Sequence, residues 1–291
     1  MKTYQQIVRD LCQVYPEGEA RALARWLCEE RFGLTQTDIL LDKDNQLSAD
    51  DLKKIREITL RLIHHEPIQY ILWHTTFCGH RFSVAPGALI PRPETQEMVQ
   101  HILNTLSPDE KEAPLHILDI GTGSGCIAFS LAIALPKAKV TAWDISKEAL
   151  AVAHRNLDLY PETKVTLEQV DMLYPPTDNR QWNIIVSNPP YICQSEAETM
   201  DHNVLDYEPH NALFVPDSDP LLFYRAIIKY AHTHLAPQGQ LWMEINQRFG
   251  REITEFIEEN TPFHTTLLQD SFEHDRFVKI DNGPRPEGTL A

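Results

Sequence analysis

The sequence predicts an α/β chain in which a mostly parallel sheet is covered by helices on both faces, preceded by a small helical domain. Three observations predict this fold class. The N-terminal part has helical periodicity, the part after Glu94 alternates short apolar runs with amphipathic stretches, and the first of these runs leads into a glycine-rich turn. Strands that alternate with helices are typical of parallel pairing.

The segment 3–66 has apolar residues at the spacing of packed helices. The residues that show this spacing most clearly are Leu52, Ile55 and Leu62. Ser48 followed by Asp51 is a start signal for the last helix, and Pro67 is a stop signal. We therefore predict a helical domain over residues 1–68.

The segment 69–93 connects the helical domain to the rest of the chain. Its first part alternates polar and apolar residues around Cys78, which predicts a short hairpin or an extended connector. A proline-containing stretch, residues 86–93, follows. We assign 69–93 as a hairpin and linker.

Residues 94–281 carry the alternating pattern of a parallel sheet. The apolar runs predicted as strands are 116–120, 139–143, 165–170, 182–187 and 240–245. The tail, 282–291, is rich in proline and glycine, which predicts disorder.

Composition narrows the class of function. The formal net charge of -16 and the pI of about 5.2 argue against attraction to phosphate backbones and favour a basic protein partner. The 5 cysteines form no CxxC pair, and the 13 histidines show no metal-ligand spacing, so we expect a reducing cytoplasm and no metal. No apolar run approaches the roughly 18 residues that would cross a bilayer.

A glycine-rich turn follows the first predicted strand. It consists of Gly121, Thr122, Gly123, Ser124 and Gly125. Glycines let a turn approach a ligand closely, and the helix predicted over 126–135 offers free amide groups at its start. A nucleotide-like ligand is therefore expected here. The pattern is not the phosphate-binding P-loop, because no Gly-Lys-Ser/Thr ends it. A tight turn without a ligand is the alternative.

Acidic residues end the next two predicted strands. Asp144 follows the glycines by about twenty residues, the distance at which a carboxylate binds a ribose diol in doubly wound sheets. Ser146 is the better candidate for capping the next helix. Asp171 is predicted to accept a hydrogen bond from an exocyclic amine, and Met172 to pack on a base. A dinucleotide-dependent dehydrogenase would share these features.

The fourth predicted strand ends in Asn188-Pro189-Pro190-Tyr191. The prolines remove two backbone donors, which leaves nearby carbonyl groups available. The Asn188 side-chain oxygen and the Pro189 carbonyl can accept both hydrogens of an NH2 group and orient its nitrogen for transfer. An ordinary turn is the alternative for this motif alone.

Three motifs together resemble the peptide chain release factor glutamine N5-methyltransferases. They are DIGTGSG (119–125), NPPY (188–191) and LIPRPET (89–95). The resemblance implies a Rossmann-like class I methyltransferase with a seven-stranded sheet, S-adenosylmethionine as the methyl donor, and methylation of the glutamine of Gly-Gly-Gln in class I release factors. It implies cofactor binding by the glycine turn, Asp144, Asp171, Met172 and Asn188. Asn188, Pro189, Pro190 and Tyr191 are implied to hold the glutamine, and the 1–68 domain to hold the partner.

The chain departs from the family pattern at three positions. His65 and Trp73 stand where glycine is expected, and Gln96 stands where glutamate is more usual. The segment 207–213 is also similar to the family and is expected to be a flexible loop near the substrate. We expect a monomer that does not bind nucleic acid directly.

Two other functions remain open from the sequence. An adenine-N6 nucleic-acid methyltransferase could use the same two acceptors on a flipped base, but it would need a basic groove. An acidic protein-binding module that keeps the fold without catalysis is the non-enzymatic alternative.

Overall fold

The computed structural model describes residues 3–41 and 43–282. The tail predicted as disordered therefore lies, apart from Asn282, outside the described residues. Contacts between Cα atoms divide the chain into two compact units. The first unit contains the N-terminal residues up to His74 together with Asp201–Tyr207, and the second contains the rest.

The helices and strands are numbered in chain order. The helices are α1 (Thr3–Leu11), α2 (Glu17–Phe32), α3 (Gln36–Leu40), α4 (Ala49–Ile63), α5 (Ile68–Leu72), α6 (Pro93–Thr105), α7 (Pro108–Lys111), α8 (Cys126–Ala134), α9 (Lys147–Leu159), α10 (His202–Leu205), α11 (His210–Leu213), α12 (Leu222–His234) and α13 (Gly250–Asn260). The strands are β1 (His74–Phe77), β2 (His80–Ser83), β3 (His116–Ile120), β4 (Lys139–Asp144), β5 (Val165–Gln169), β6 (Trp182–Ser187), β7 (Ile192–Cys193), β8 (Phe214–Val215), β9 (Leu235–Glu244), β10 (His264–Gln269) and β11 (Asp275–Asp281).

The helical unit is built as the N-terminal periodicity predicts. Helices α1, α2, α4 and α5 bury one shared apolar cluster, which includes Leu11, Leu27 and Leu62. The start of α4 is confirmed, because the Ser48 side chain accepts a hydrogen bond from the Asp51 amide. The helix ends at Ile63, several residues before Pro67.

In the part of the chain that the structure describes, seven strands form one mixed sheet in the order β10-β11-β9-β6-β3-β4-β5. Parallel pairs join β9, β6, β3, β4 and β5, and β11 runs antiparallel to both of its neighbours. The predicted mostly parallel sheet is confirmed. The chain leaves β3 toward β4 and then returns to the other side of β3 with β6, so the carboxyl ends of β3 and β6 flank the point where the strand order reverses. Ligands bind at such points in open α/β sheets.

Helix α8 differs from the amphipathic helix that was predicted after the glycine turn. Residues 126–132 are all buried, because the sequence CIAFSLAIA contains a single polar residue. A helix that is apolar on every side packs inside a domain rather than on its surface.

The two positions at which glycine was expected keep a glycine-like backbone. His65 has φ 62° and Trp73 has φ 65°, both in the left-handed region that side chains with a Cβ rarely adopt. The His65 ring lies 5.4 Å from the Tyr15 ring and 5.6 Å from the His202 ring. Both positions therefore have a backbone conformation that glycine adopts readily, and the His65 ring makes contacts that glycine would lack.

We expect Trp73→Gly to be more stable than Trp73→Ala by about 1 kcal/mol, because both remove the side chain but only glycine relieves the left-handed backbone. Leu60 is an exposed residue in the interior of α4 and serves as the control. There the order is reversed, with glycine less stable than alanine by about 1 kcal/mol. Urea unfolding of the four variants measures both differences, and the same order at both sites would contradict the strained-backbone account.

Candidate functional site

A cavity of about 250 Å³ lies within the second unit, at the carboxyl ends of β3, β4 and β6. Its walls include Gly87, Ala88, Leu89, Gly121, Gly123, Asp144, Ile145, Val170, Asp171, Met172, Asn188, Pro189, Pro190, Asn211, Ala212, Phe223 and Ile227. The glycine turn and NPPY therefore line the same cavity. The Ser187 hydroxyl donates to the Ile120 carbonyl at 2.7 Å, which fixes the end of β6 against the end of β3.

The glycine turn contributes its outer residues to the cavity. Gly121 and Gly123 line it, with φ of 72° and 57°. A Cβ atom at Gly121 would lie 3.9 Å from the Asn188 carbonyl oxygen, which shows how closely the turn approaches NPPY. A Cβ at Gly123 would meet nothing within 4 Å. The turn therefore offers backbone, rather than side chains, to a ligand.

Three residues of the predicted turn do not line the cavity. Thr122 and Ser124 are buried, and the Thr122 hydroxyl donates to Asp119 Oδ2 at 2.6 Å. Gly125 has φ 83°, and a Cβ there would lie 2.6 Å from the Phe129 ring. The sequence predicts that all five residues of the turn bind the cofactor. Thr122, Ser124 and Gly125 lie outside the cavity lining and contribute to the shape of the turn.

Asp119 holds the turn from inside the protein. Its Oδ2 accepts hydrogen bonds from the Thr122 hydroxyl and the Ala128 amide, while Oδ1 has no hydrogen-bonding partner among the described residues. Burial raises the pKa of Asp119 from 3.8 to about 7, against the lowering effect of those two hydrogen bonds. The carboxyl group is therefore partly protonated near neutral pH.

Asp119 should make stability depend on pH. Because its pKa is higher in the folded than in the unfolded chain, its contribution to the free energy of unfolding is full below pH 3.8 and is lost as pH rises to about 7. We expect Asp119→Asn, which does not titrate, to gain stability relative to the wild type by a few kcal/mol over that pH range. Urea unfolding of both proteins from pH 4 to pH 8, followed by tryptophan fluorescence, measures the difference. Parallel pH profiles would contradict the assignment.

Asp144 ends β4 and points its carboxylate toward the glycine turn. Oδ2 accepts from the Gly123 amide at 2.8 Å, and Oδ1 accepts from the Ser146 amide at 2.8 Å. Ser146 caps α9 through a bond from the Ala149 amide, so Asp144 is not needed as a cap. Burial raises the pKa of Asp144, and the amide hydrogen bonds oppose this shift. A carboxylate has about four acceptor sites, which leaves capacity for the hydroxyls of a ligand.

An apolar slot adjoins Asp144. Ile145, Val170 and Met172 all line the cavity, and Ile145 keeps 53% of its surface exposed. Asp171 lines the same cavity, and its Oδ1 accepts from the Leu173 amide at 2.9 Å. Apolar side chains beside a carboxylate acceptor are the kinds of group that can hold a flat base with an exocyclic amine.

Three residues of the NPPY motif line the same cavity as these groups. Asn188, Pro189 and Pro190 line the cavity, as the sequence predicts. Tyr191 does not line it, and its hydroxyl donates to Glu244 Oε1 at 3.0 Å. The predicted grip of the Tyr191 ring on the substrate is thus not visible in this cavity. Tyr191 instead braces the motif, because a buried phenol requires a hydrogen-bond partner and Glu244 supplies one.

The LIPRPET motif supports the site rather than only preceding it. Leu89 lines the cavity. The Ile90 amide donates to Glu208 Oε2 at 3.0 Å, and the Arg92 guanidinium donates to Glu208 Oε1 at 2.6 Å. Thr95 bonds with Asn188 at 3.1 Å. The motif therefore connects the cavity wall to the segment after NPPY.

That segment, 207–213, was predicted as a flexible loop near the substrate. It contains the short helix α11, and β8 follows and pairs with β7. Its Glu208 is buried and held by two donors. Asn211 and Ala212 line the cavity.

Glu196, which could have attracted a basic partner, is bonded within the protein. Its carboxylate accepts from the Cys193 amide at 2.8 Å and from Asn246 Nδ2 at 3.1 Å, and Arg248 lies 3.5 Å away. Gln96 likewise has an internal role, because its Oε1 accepts from the Cys78 amide at 2.7 Å in the β1–β2 turn. Glutamate could make that same bond, so this departure from the family pattern is tolerated.

Several lining residues were missed by the sequence reasoning. Gly87 has φ 100°, and a Cβ there would lie 2.8 Å from the Glu148 Cβ, so this position favours glycine. The signal in the sequence that could have identified it is a glycine within the proline-containing stretch 86–93. Ile145, Phe223 and Ile227 carry no local signal, because apolar residues at a strand end or on a helix are normally assigned to the core.

Nowhere in residues 3–41 and 43–282 do three histidine, cysteine or acidic side chains form a group that could hold a metal ion. Each helix there is too short or too polar to cross a bilayer.

Comparison with known proteins places the two parts of the chain in known families. Residues 3–72 match the family described as PrmC N-terminal domain, and residues 96–207 match the Methyltransferase small domain. The 16S rRNA N2 methyltransferase of Thermus thermophilus, solved in complex with AdoMet and guanosine, has a TM-score of 0.51 over 72% of this chain and 49% of that chain. At 16% identity this similarity shows the fold alone.

Two curated relatives are similar over almost the whole chain. The release factor glutamine methyltransferase of Bacteroides thetaiotaomicron is 45% identical, covering 94% of this chain and 96% of its own. The protein of the same name from Flavobacterium psychrophilum is 42% identical, covering 97% and 99%. The fold, the shared cavity and these similarities lead to one conclusion: the chain belongs to the release factor glutamine methyltransferase family.

Proposed function

We propose that the chain transfers a methyl group from S-adenosylmethionine to the side-chain amide nitrogen, N5, of the glutamine in the Gly-Gly-Gln motif of class I peptide chain release factors. The observation that supports this most directly is the single cavity lined by both the glycine turn and NPPY. The family membership supports the substrate, and the acidic surface of the chain suits a basic protein partner.

The residues present fit S-adenosylmethionine. Asp144 keeps acceptor capacity for a ribose diol, and Ile145 and Met172 form an apolar slot for a base. Because Gly121 and Gly123 have no side chains, they leave space in the cavity for the cofactor to approach their backbone. When bound, S-adenosylmethionine would supply an electrophilic methyl group on a sulfonium. Asp171 would accept from the exocyclic amine.

NPPY would position the substrate. An amide nitrogen is a poor nucleophile because its lone pair is delocalised into the carbonyl. The Asn188 side-chain oxygen and the Pro189 carbonyl would accept its two hydrogens and aim the nitrogen at the cofactor side of the cavity. The proton is lost after transfer, when the nitrogen has become cationic, so the site requires no strong base.

The roles of the other parts of the chain belong to the same proposal. Residues 1–68 would contact the release factor, residues 69–93 would link the domains, and residues 94–281 would carry catalysis. The protein would act in the cytoplasm as a monomer, without a metal and without direct contact to nucleic acid.

The test is methylation of a purified class I release factor with labelled S-adenosylmethionine, followed by mass spectrometry of its peptides. We expect one added methyl group on the glutamine of Gly-Gly-Gln and none on a release factor with that glutamine replaced by alanine. A duplex DNA substrate tested in parallel distinguishes the adenine-N6 alternative. Methylation of the DNA alone, or of another residue, would refute the proposed function.

A further inference from the structure

A buried chain of hydrogen bonds links Asn188 to Glu244 through Thr95. Asn188 Nδ2 donates to Thr95 Oγ1 at 3.1 Å, and Thr95 Oγ1 donates to Glu244 Oε2 at 2.7 Å. Thr95 and Glu244 are 3% and 1% exposed, so water does not compete for these bonds. Neither Thr95 nor Glu244 lines the cavity. Both act on the site only through Asn188 and Tyr191.

The chemistry of the hydrogen-bond chain fixes its direction. In its charged form the Glu244 carboxylate can only accept, so Thr95 uses its one hydrogen on Glu244. The Thr95 oxygen can then only accept from Asn188, which orients the NH2 end of the Asn188 amide toward Thr95. The oxygen end is left for the cavity.

Glu244 is held in its accepting role by groups from several elements. The Tyr191 hydroxyl donates to its second oxygen at 3.0 Å. Burial raises the pKa of Glu244, while the hydrogen bonds from Thr95 and Tyr191 and the positive charge of Arg276 lower it. Glu94 acts in the raising direction. Burial is the largest of these effects, so the pKa of Glu244 is raised overall, while the two donors and the cation act to stabilise its charged form.

We infer that Thr95 and Glu244 are positioning residues for methyl transfer, which orient the Asn188 amide so that its oxygen faces the glutamine NH2. This inference rests on the proposed function. The alternative orientation would present an NH2 group to an NH2 group, with two donors facing each other and no bond formed. The hydrogen bonds from Asn188 through Thr95 to Glu244 therefore determine whether Asn188 can bind the substrate NH2 group.

The direct test compares Thr95→Val, which has nearly the same shape without the hydroxyl, with Thr95→Ser, which keeps it. We expect Thr95→Val to lower kcat about tenfold or more on the release factor, as expected for a misoriented nucleophile. Thr95→Ser should keep most of the activity. Thr105→Val on the same helix, whose hydroxyl bonds to the Ile102 carbonyl, is the control and should be active.

A double-mutant cycle separates positioning from general structural damage. If Thr95 acts through Asn188, adding Thr95→Val to a protein that already carries Asn188→Ala should lower kcat by a further factor of less than about two. If the kcat losses of the two single variants instead multiply in the double variant, the inference is overturned. Calorimetric affinity for S-adenosylmethionine should stay within about twofold in Thr95→Val, and an affinity loss as large as the rate loss would also overturn it.

The outcomes distinguish the two levels of the argument. A wild-type protein that methylates the release factor, together with a fully active Thr95→Val, would refute the positioning role alone. A wild-type protein that does not methylate the release factor would refute the proposed function and the inference that rests on it. Should Thr95→Val fail to fold, Thr95→Ala is compared with Thr95→Ser by the same measurements.

Discussion

Asn188→Ala is expected to lower the rate of glutamine methylation at least about 100-fold, because the nucleophile loses one of the two acceptors that hold its NH2 group in line. The structure supports a specific loss. Asn188 lines the cavity, and its side chain is held by Thr95 at 3.1 Å. Alanine keeps the backbone that follows β6, so the Pro189 carbonyl remains in place.

Cofactor affinity separates this outcome from misfolding. Calorimetric titration should show S-adenosylmethionine binding to Asn188→Ala within a few-fold of the wild type, since the Asp144 carboxylate and the apolar slot are untouched. Asn183→Ala is a matched control on the opposite end of the same strand, where Asn183 accepts from the His116 amide. It should retain its activity. An Asn188→Ala protein with more than half of the wild-type rate would remove Asn188 from the catalytic role.

The parts of the site that could be predicted from the sequence are those that local patterns encode. A strand that ends in glycines, a strand that ends in Asp144 and a strand that ends in Asn-Pro-Pro each carry their signal within a few residues. The regular alternation of strands and helices then places all three strand ends on one edge of the sheet. The β3–β4 and β3–β6 pairs are parallel, so the three strand ends lie on one edge of the sheet, beside the cavity.

The supporting residues could not be predicted, because their contacts depend on the packing of distant segments. Thr95 bonds with Glu244 across 149 positions and with Asn188 across 93. Glu208 meets Arg92 across 116 positions. In the sequence, Glu244 is only an acid at the end of a predicted strand. Its partners become visible when β9 is placed beside β6.

Tyr191 has a contact within the protein that the sequence does not reveal. The family resemblance implies that Tyr191 helps to hold the glutamine, and this stays a prediction. In the fold, its hydroxyl donates to Glu244 on β9. A buried carboxylate that needs donors competes successfully for that hydroxyl.

Asp144→Asn is expected to weaken S-adenosylmethionine binding by at least about 30-fold, equivalent to about 2 kcal/mol. The carboxylate accepts from two backbone amides, those of Gly123 and Ser146, on different oxygens. An asparagine has one acceptor oxygen, so its NH2 group would face one of these amides, donor to donor, and one acceptor for the ribose diol would be lost. The effect should thus appear in the dissociation constant, measured by calorimetry.

Comparison with two other aspartates makes the Asp144 measurement specific. Asp158→Asn, on the exposed face of α9, should bind S-adenosylmethionine as the wild type does. Asp171→Asn should lower the affinity for S-adenosylmethionine about tenfold, because it removes only one hydrogen bond to the exocyclic amine. An Asp144→Asn protein that binds within about threefold of the wild type would show that the ribose lies elsewhere. Since Asp144 and Asn188 line the same cavity, methyl transfer in Asp144→Asn should recover at saturating S-adenosylmethionine, whereas in Asn188→Ala it should not.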